Sequence, residues 1–125
     1  MQDEPTPTEL IKAVADFLRN EIAPDLGGHK AFKLRVGINA LDLVTRQLAL
    51  QQGSDAAETA RLTQLLGSQG SLGDLNRVLA DRITSGAVDL HTPGLSEHLW
   101  QTTMDKLAVD QPNYASYKRE MEKDS

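Results

Sequence analysis

The fold is decided by residues 29–50, which read HKAFKLRVGINALDLVTRQLAL. At about 100° per residue, the apolar side chains of this segment cover roughly 240° of a helical projection. A polar seam of Arg35, Asn39, Asp42 and Arg46 occupies only about 60°. A surface helix has a narrower apolar face, so the segment predicts the central helix of a bundle. Its apolar residues are Phe32, Leu34, Val36, Ile38, Ala40, Leu41, Leu43, Val44 and Leu48.

Capping signals predict four further helices. The first begins at Thr6-Pro7-Thr8-Glu9, which supplies a Thr N-cap, a proline in the first turn and a Glu three residues after the cap. We expect this helix to run from Pro7 to Ile22. Gln51-Gln52-Gly53 is interpreted as the break that ends the second helix. The remaining helices are predicted to begin at Ser54-Asp55, at Ser71 and at Thr92-Pro93, and to end near Gly67, Ser85 and Val109.

These segments predict an all-α fold, a five-helix bundle with the second helix at its centre. Short loops favour largely antiparallel neighbours. The segment Ala87–His91 alternates apolar and polar residues, but a lone strand has no partner, so we predict an ordered loop. A short C-terminal tail from Tyr114 to Ser125 is expected either to dock one helical turn or to fray. Residues 1–125 are predicted to form a single domain, with flexibility at 1–5 and 115–125.

Composition excludes several classes of function. A chain of 125 residues without cysteine holds no disulfide, thiolate zinc site or iron–sulfur cluster. The net charge of -5 and an aromatic content of 4% oppose nucleic-acid binding, which needs clustered Lys and Arg or stacking aromatics. No apolar run approaches the roughly 18 residues that span a bilayer, so no membrane partner is expected. Because Met1-Gln2-Asp3-Glu4-Pro5 is acidic and unlike a secretory signal, we expect a cytoplasmic protein.

The polar seam permits two interpretations. In the first, it is the solvated stripe of a packed helix, with Asp42 and Arg46 as an exposed i,i+4 ion pair. In the second, another chain or a ligand covers the seam, and the guanidinium of Arg35 holds a carboxylate or a phosphate in a bidentate manner. The seam spacing of four, three and four residues fits both.

No catalytic or metal-binding motif is found. The three histidines, His29, His91 and His98, lack the spacing that presents two metal ligands from one helical face, so neither a metal site nor a cofactor is predicted. We expect His98 to be a partly exposed residue of the fifth helix. The glycine-spaced loop from Gly67 to Gly73 follows a helix and lacks a Gly-Lys-Ser/Thr ending, so it is interpreted as a connector and not as a phosphate-binding loop.

Three blocks of sequence nevertheless resemble a known family. The first block runs from Pro7–Leu10 through Phe17-Leu18. The second contains Phe32, Arg35-Val36 and Asn39-Ala40-Leu41. The third contains Lys106–Asp110, Pro112 and Tyr114. Together they are similar to a bacterial family of small helical proteins of unknown function. Members are encoded beside acyl-CoA dehydrogenases and aminoglycoside-phosphotransferase-like kinases, and the resemblance therefore implies an accessory role. The family pattern matches at Arg35, Asn39 and Arg46 but has a small apolar residue in place of Asp42.

Two functional hypotheses follow. The favoured one is a non-enzymatic interaction module whose second and fifth helices bind a second copy of the chain or a partner enzyme, with Trp100 and Met104 as anchors. The alternative is a binding protein or enzyme that uses the bundle interior. In that case Arg35, Asn39 and Arg46 would hold an acyl or phosphate-bearing ligand.

Overall fold

The computed structural model describes residues 4–123, and all regular structure in that range is helical. The predicted all-α class is therefore confirmed. Residues 1–3 and 124–125, which belong to the segments predicted to be flexible, lie outside the described residues. The α-helices are α1 (Pro7–Phe17), α2 (Gly28–Leu66), α3 (Leu72–Ser85), α4 (Leu95–Asp110) and α5 (Ala115–Lys123).

Helix α1 begins where the capping signal places it. The Thr6 hydroxyl accepts a hydrogen bond from the Glu9 backbone N–H at 3.1 Å. After Phe17 the chain continues as a π-helical segment, Leu18–Ile22, followed by a 3₁₀ turn, Ala23–Asp25. The predicted extent to Ile22 is thus correct, although its last five residues are wound more widely than an α-helix.

The predicted break at Gln51-Gln52-Gly53 is wrong, because α2 passes through it without interruption. One glycine costs about 1 kcal/mol relative to alanine in a helix interior, which weakens a helix without ending it. The expected caps at Ser54 and Asp55 are instead helical residues, and the Thr59 hydroxyl donates to the Asp55 carbonyl oxygen at 2.8 Å within the helix. The second and third predicted helices are one helix of 39 residues.

The described helices divide into two compact units, Met1–Gln51 and Gln52–Ser125, here called the N-terminal and the C-terminal unit. In the N-terminal unit, Ala15 of α1 and Ile38 of α2 are the buried apolar residues among residues 4–51. Arg19 joins the π-helical segment to α2, since its guanidinium donates to the carboxylate of Asp42 at 2.6 Å and to that of Asp16 at 2.8 Å.

The C-terminal unit contains a larger apolar core. Polar contacts support the packing of α2 and α3, because Arg82 donates to the Leu66 carbonyl oxygen at 2.9 Å and Asn76 donates to the Glu58 carboxylate at 3.0 Å. The Ser71 hydroxyl caps α3 by accepting from the Asp74 backbone N–H, as predicted. The core cluster consists of Leu62, Leu66, Leu75, Leu79, Val88 and Leu95.

Helix α4 begins later than its sequence signal. Thr92 was expected to cap it, but the Thr92 hydroxyl accepts from the Asp89 backbone N–H within the preceding loop. The N-cap is Gly94, whose φ of 91° lies in the left-handed region that glycine adopts without strain. The interpretation of Ala87–His91 as a loop is confirmed. Beyond Pro112, residues of the predicted tail form α5, which contacts α4.

The continuity of α2 is tested by Gly53→Ala. A Cβ at this exposed helical position meets no atom within 4 Å, so the substitution should raise the free energy of unfolding by about 0.5–1 kcal/mol. Gly86→Ala is the matched control, because the φ of 83° at that helix end should make the same substitution destabilising by about 1 kcal/mol. Urea denaturation measures both. A destabilised Gly53→Ala variant would contradict a continuous helix.

Candidate functional site

The polar seam is placed on the N-terminal unit, and its members differ in their surroundings. Arg35 and Asn39 are exposed, whereas Asp42 and Arg46 are half-buried. Asp42 is bound by Arg19, a partner 23 residues away that helical periodicity does not reveal. Arg35, Asn39 and Arg46 line neither the pocket at the beginning of α4 nor the groove between α4 and α5. Ligand binding by these three residues therefore stays a prediction.

Beside the seam, α2 presents an apolar strip of Phe32, Val36, Val44 and Leu48 to the surface. Phe32 is 57% exposed and Leu48 is 51% exposed. Phe32 and Val36 form one i,i+4 pair and Val44 and Leu48 form another, and the four side chains lie within an arc of about 160°. On α1, Leu10, Val14 and Phe17 form a second exposed strip with the same kind of spacing. Of the wide apolar arc predicted for residues 29–50, Ile38 is buried, and much of the remainder faces outward.

The C-terminal unit contains a pocket of about 490 Å³ at the beginning of α4. His98 is the most buried polar residue of its lining, with only 3% of its surface exposed. The expectation of a partly exposed His98 is therefore wrong. The pocket is lined by Arg61, Gln64, Leu65, Pro93, Gly94, Glu97 and His98.

The periodicity of α4 explains the burial of His98. Leu95 precedes His98 by three residues and Thr102 follows it by four, so all three lie on one side of the helix, the side that faces the core. This Leu-x-x-His spacing is a signal that sequence reasoning missed. Arg61 carried no such signal, because it lies 37 residues from its partner in the sequence.

Arg61 fixes the protonation state of His98. The guanidinium Nε donates to Nδ1 of His98 at 3.1 Å, and Nη2 donates to the Thr102 hydroxyl at 3.2 Å. A ring nitrogen that accepts a hydrogen bond from a guanidinium carries no proton, so the imidazole is neutral with its proton on Nε2. Burial lowers the pKa of His98 below 6.5, the positive charge of Arg61 lowers this pKa further, and Glu58 opposes them.

A smaller groove of about 200 Å³ lies between α4 and α5. Trp100 lines it and is 54% exposed, whereas Met104, also in its lining, is buried. Trp100 is thus accessible for the interface role predicted for it, and Met104 mainly packs within its own unit. Tyr114 and Tyr117 complete the aromatic part of the groove. Both interface assignments stay predictions.

Within residues 4–123, no group of three His, Asp or Glu side chains is arranged to hold a metal ion. No helix among these residues has the length and apolar character needed to cross a membrane.

The described residues thus define an all-α protein with a buried, neutral histidine in a small pocket. Residues 24–114 match the family described as Domain of unknown function (DUF6285), and the chain belongs to that family. The matched region includes the polar seam as well as Arg61 and His98. No curated protein and no solved structure matches the chain. Resemblance to a family of unknown function is confirmed, while the implied gene neighbourhood stays a prediction.

The state of His98 predicts how stability depends on pH. Because the folded pKa lies below 6.5, the unfolded chain takes up a proton before the folded protein does. The contribution of neutral His98 to stability is therefore complete above pH 6.5 and is lost as the pH falls through the folded pKa. An NMR titration of the imidazole nitrogens should give a midpoint below 6.5. A midpoint at or above that value would rule out this assignment.

Proposed function

We propose that the protein is a non-enzymatic helical module that self-associates through the exposed apolar strips of α1 and α2. One observation carries the proposal. Among the described residues 4–51, nine large apolar side chains are exposed, against two buried apolar residues. The nine are Leu10, Val14, Phe17, Ile22, Phe32, Val36, Val44, Leu48 and Leu50.

The two strips supply much of the area that a dimer needs. At roughly 80 Å² for each half-exposed side chain, their seven residues present about 560 Å² of apolar surface, and Ile22 and Leu50 raise the total to about 700 Å², against the ~800 Å² that each partner contributes to a standard interface. Covering these strips removes from water an apolar surface that the chain itself leaves exposed.

The charges of the N-terminal unit favour a second copy as the partner. Residues 4–27 carry five acidic and two basic side chains, whereas residues 28–51 carry four basic and one acidic. A two-fold axis can set the acidic segment of one copy beside the basic segment of the other, and the symmetry repeats the pairing. In such a dimer Arg35 has a carboxylate partner available. The opposite net charges of the two segments therefore support a self-complementary surface.

The alternative to a second copy of the chain is a partner enzyme. The resemblance described above implies an acyl-CoA dehydrogenase or a phosphotransferase-like kinase as the neighbour of this protein. Such a partner would use the same apolar strips, so it competes with the second copy. The oligomeric state of the isolated chain separates the two.

Self-association is tested by light scattering coupled to gel filtration. We expect the wild-type chain to have twice its monomer mass of 13.7 kDa. A Phe32→Glu, Leu48→Glu double variant should shift to the monomer, because two charges buried in an apolar interface cost several kcal/mol. The control is Leu90→Glu, which places the same charge on a leucine that is 80% exposed in the C-terminal unit and should leave the dimer intact.

Two results would contradict the proposal. One is a wild-type chain that stays monomeric at its highest soluble concentration. That result would contradict self-association even if an acyl-CoA dehydrogenase co-purified with the protein from the native cell. The other is a double variant that keeps the dimer mass while its circular dichroism shows an intact fold. If the dimer dissociated equally in the double variant and in Leu90→Glu, the interface could not be assigned to the apolar strips of α1 and α2.

A further inference from the structure

A narrow stripe of α2 has the spacing of a coiled-coil contact. Six residues between positions 32 and 50 recur at alternating intervals of four and three, which is the 3.5-residue repeat that lets two helices wind around each other. At about 100° per residue, all six lie within an arc of about 80°. This heptad stripe consists of Phe32, Val36, Asn39, Leu43, Arg46 and Leu50.

The heptad stripe is open on the N-terminal unit. Four of its six residues are exposed, and the other two are half-buried. Ile38, the buried apolar residue of α2 in this unit, lies about 120° around the helix from the middle of the stripe. Asp42, which is ion-paired within the unit, lies about 80° away on the same side. The covered side of α2 is therefore not the side that carries the stripe.

We propose that the heptad stripe pairs with the same stripe of a second copy as an antiparallel two-helix coiled coil. The inference rests on the proposed self-association, and it specifies which side of α2 forms the contact and in which direction the partner helix runs. A second copy is the occupant because it supplies an identical 3.5-residue stripe, so the side chains of each helix enter the spaces between those of the other. Such a contact is two-fold symmetric and closes the assembly at two chains.

The polar residues of the stripe select the antiparallel direction. In a parallel pair each residue meets its own equivalent, so the two guanidinium groups of Arg46 face each other and repel. Antiparallel helices related by a two-fold axis at the level of residue 41 instead place an apolar side chain in every layer. The facing pairs are then Phe32 with Leu50, Val36 with Arg46, and Asn39 with Leu43.

The charged and polar groups at the contact are compatible with this arrangement. The aliphatic stem of Arg46 packs in its layer while the guanidinium reaches water at the edge. Asn39 weakens the pair but disfavours other pairings, as a single amide in a coiled-coil core does. Asp42 of each copy lies beside the two-fold axis, where the ion pair with Arg19 offsets the repulsion between the two carboxylates.

The direction of the pair is tested by charge variants at Val36. In the antiparallel pair this position faces Arg46 of the other copy, so Val36→Glu should dimerise at least about tenfold more tightly than Val36→Lys. In a parallel pair position 36 faces itself, and both variants would be equally weak. Val44→Glu and Val44→Lys are the matched controls, because Val44 is exposed on the same helix about 120° from the middle of the stripe. Sedimentation equilibrium should show a difference below about threefold between these two.

Distances between spin labels test the direction independently. Because the chain contains no cysteine, one introduced cysteine carries one label. His29→Cys and Gln47→Cys place the label at exposed positions of α2. In the antiparallel dimer, pulsed EPR should find the labels separated along the helix axes by about 36 Å at position 29 and about 18 Å at position 47. In a parallel dimer the labels lie side by side at both positions.

Burial of the stripe is tested by Asn39→Leu. Removing the amide from the contact should tighten the dimer about tenfold. Asn113→Leu makes the same change at an exposed residue between α4 and α5 and should leave the dissociation constant unchanged.

The coiled coil is overturned if Val36→Glu and Val36→Lys dissociate equally, or if the label separations at positions 29 and 47 are equal. An unchanged dissociation constant for Asn39→Leu also overturns it. Should both Val36 variants be monomeric, the label separations decide. Each of these results leaves a dimer of the wild-type chain in place, so it contradicts this inference alone, whereas a monomeric wild-type chain contradicts self-association as well.

Discussion

The length of α2 constrains the rest of the structure. It contains 39 residues, while the other α-helices of residues 4–123 contain 9 to 16 residues each. Where α3 and α4 pack on it, Leu62 and Leu66 are buried. Between Phe32 and Leu48 the same helix buries Ile38 but carries Phe32, Val36, Val44 and Leu48 at the surface. One uninterrupted helix thus contributes both to the core of the C-terminal unit and to the exposed apolar strips of the N-terminal unit.

Local signals predicted much of this architecture. Thr6 and Ser71 cap their helices as the sequence indicates, because a cap depends on contacts within four residues. The break predicted at Gly53 was wrong because the end of a helix depends on the combined helix propensity of many residues. One glycine lowers helix stability by only about 1 kcal/mol. The N-cap predicted at Thr92 was wrong for a different reason, since the Thr92 hydroxyl accepts a hydrogen bond from Asp89 in the loop that precedes α4.

The candidate sites were less predictable for a physical reason. Periodicity identifies which residues of α2 are apolar, but it does not say whether the chain supplies anything to cover them. The wide apolar arc predicted that most of residues 29–50 would be covered, whereas the structure leaves Phe32, Val36, Val44 and Leu48 exposed. The pocket depends on a contact between Arg61 and His98, which are separated by 37 residues. No local pattern encodes such a pairing, although the spacing of Leu95 and His98 does indicate which way the histidine points.

The contact between Arg82 and the carbonyl oxygen of Leu66 has a kinetic consequence. The last turn of α2 contains no basic residue of its own, so its terminal carbonyl group is satisfied by a side chain only 16 positions later. Closing so short a loop loses little chain entropy, and contacts of low sequence separation form early in folding. We therefore expect the end of α2 and α3 to form contacts before the Arg61–His98 pair, whose residues lie 37 positions apart.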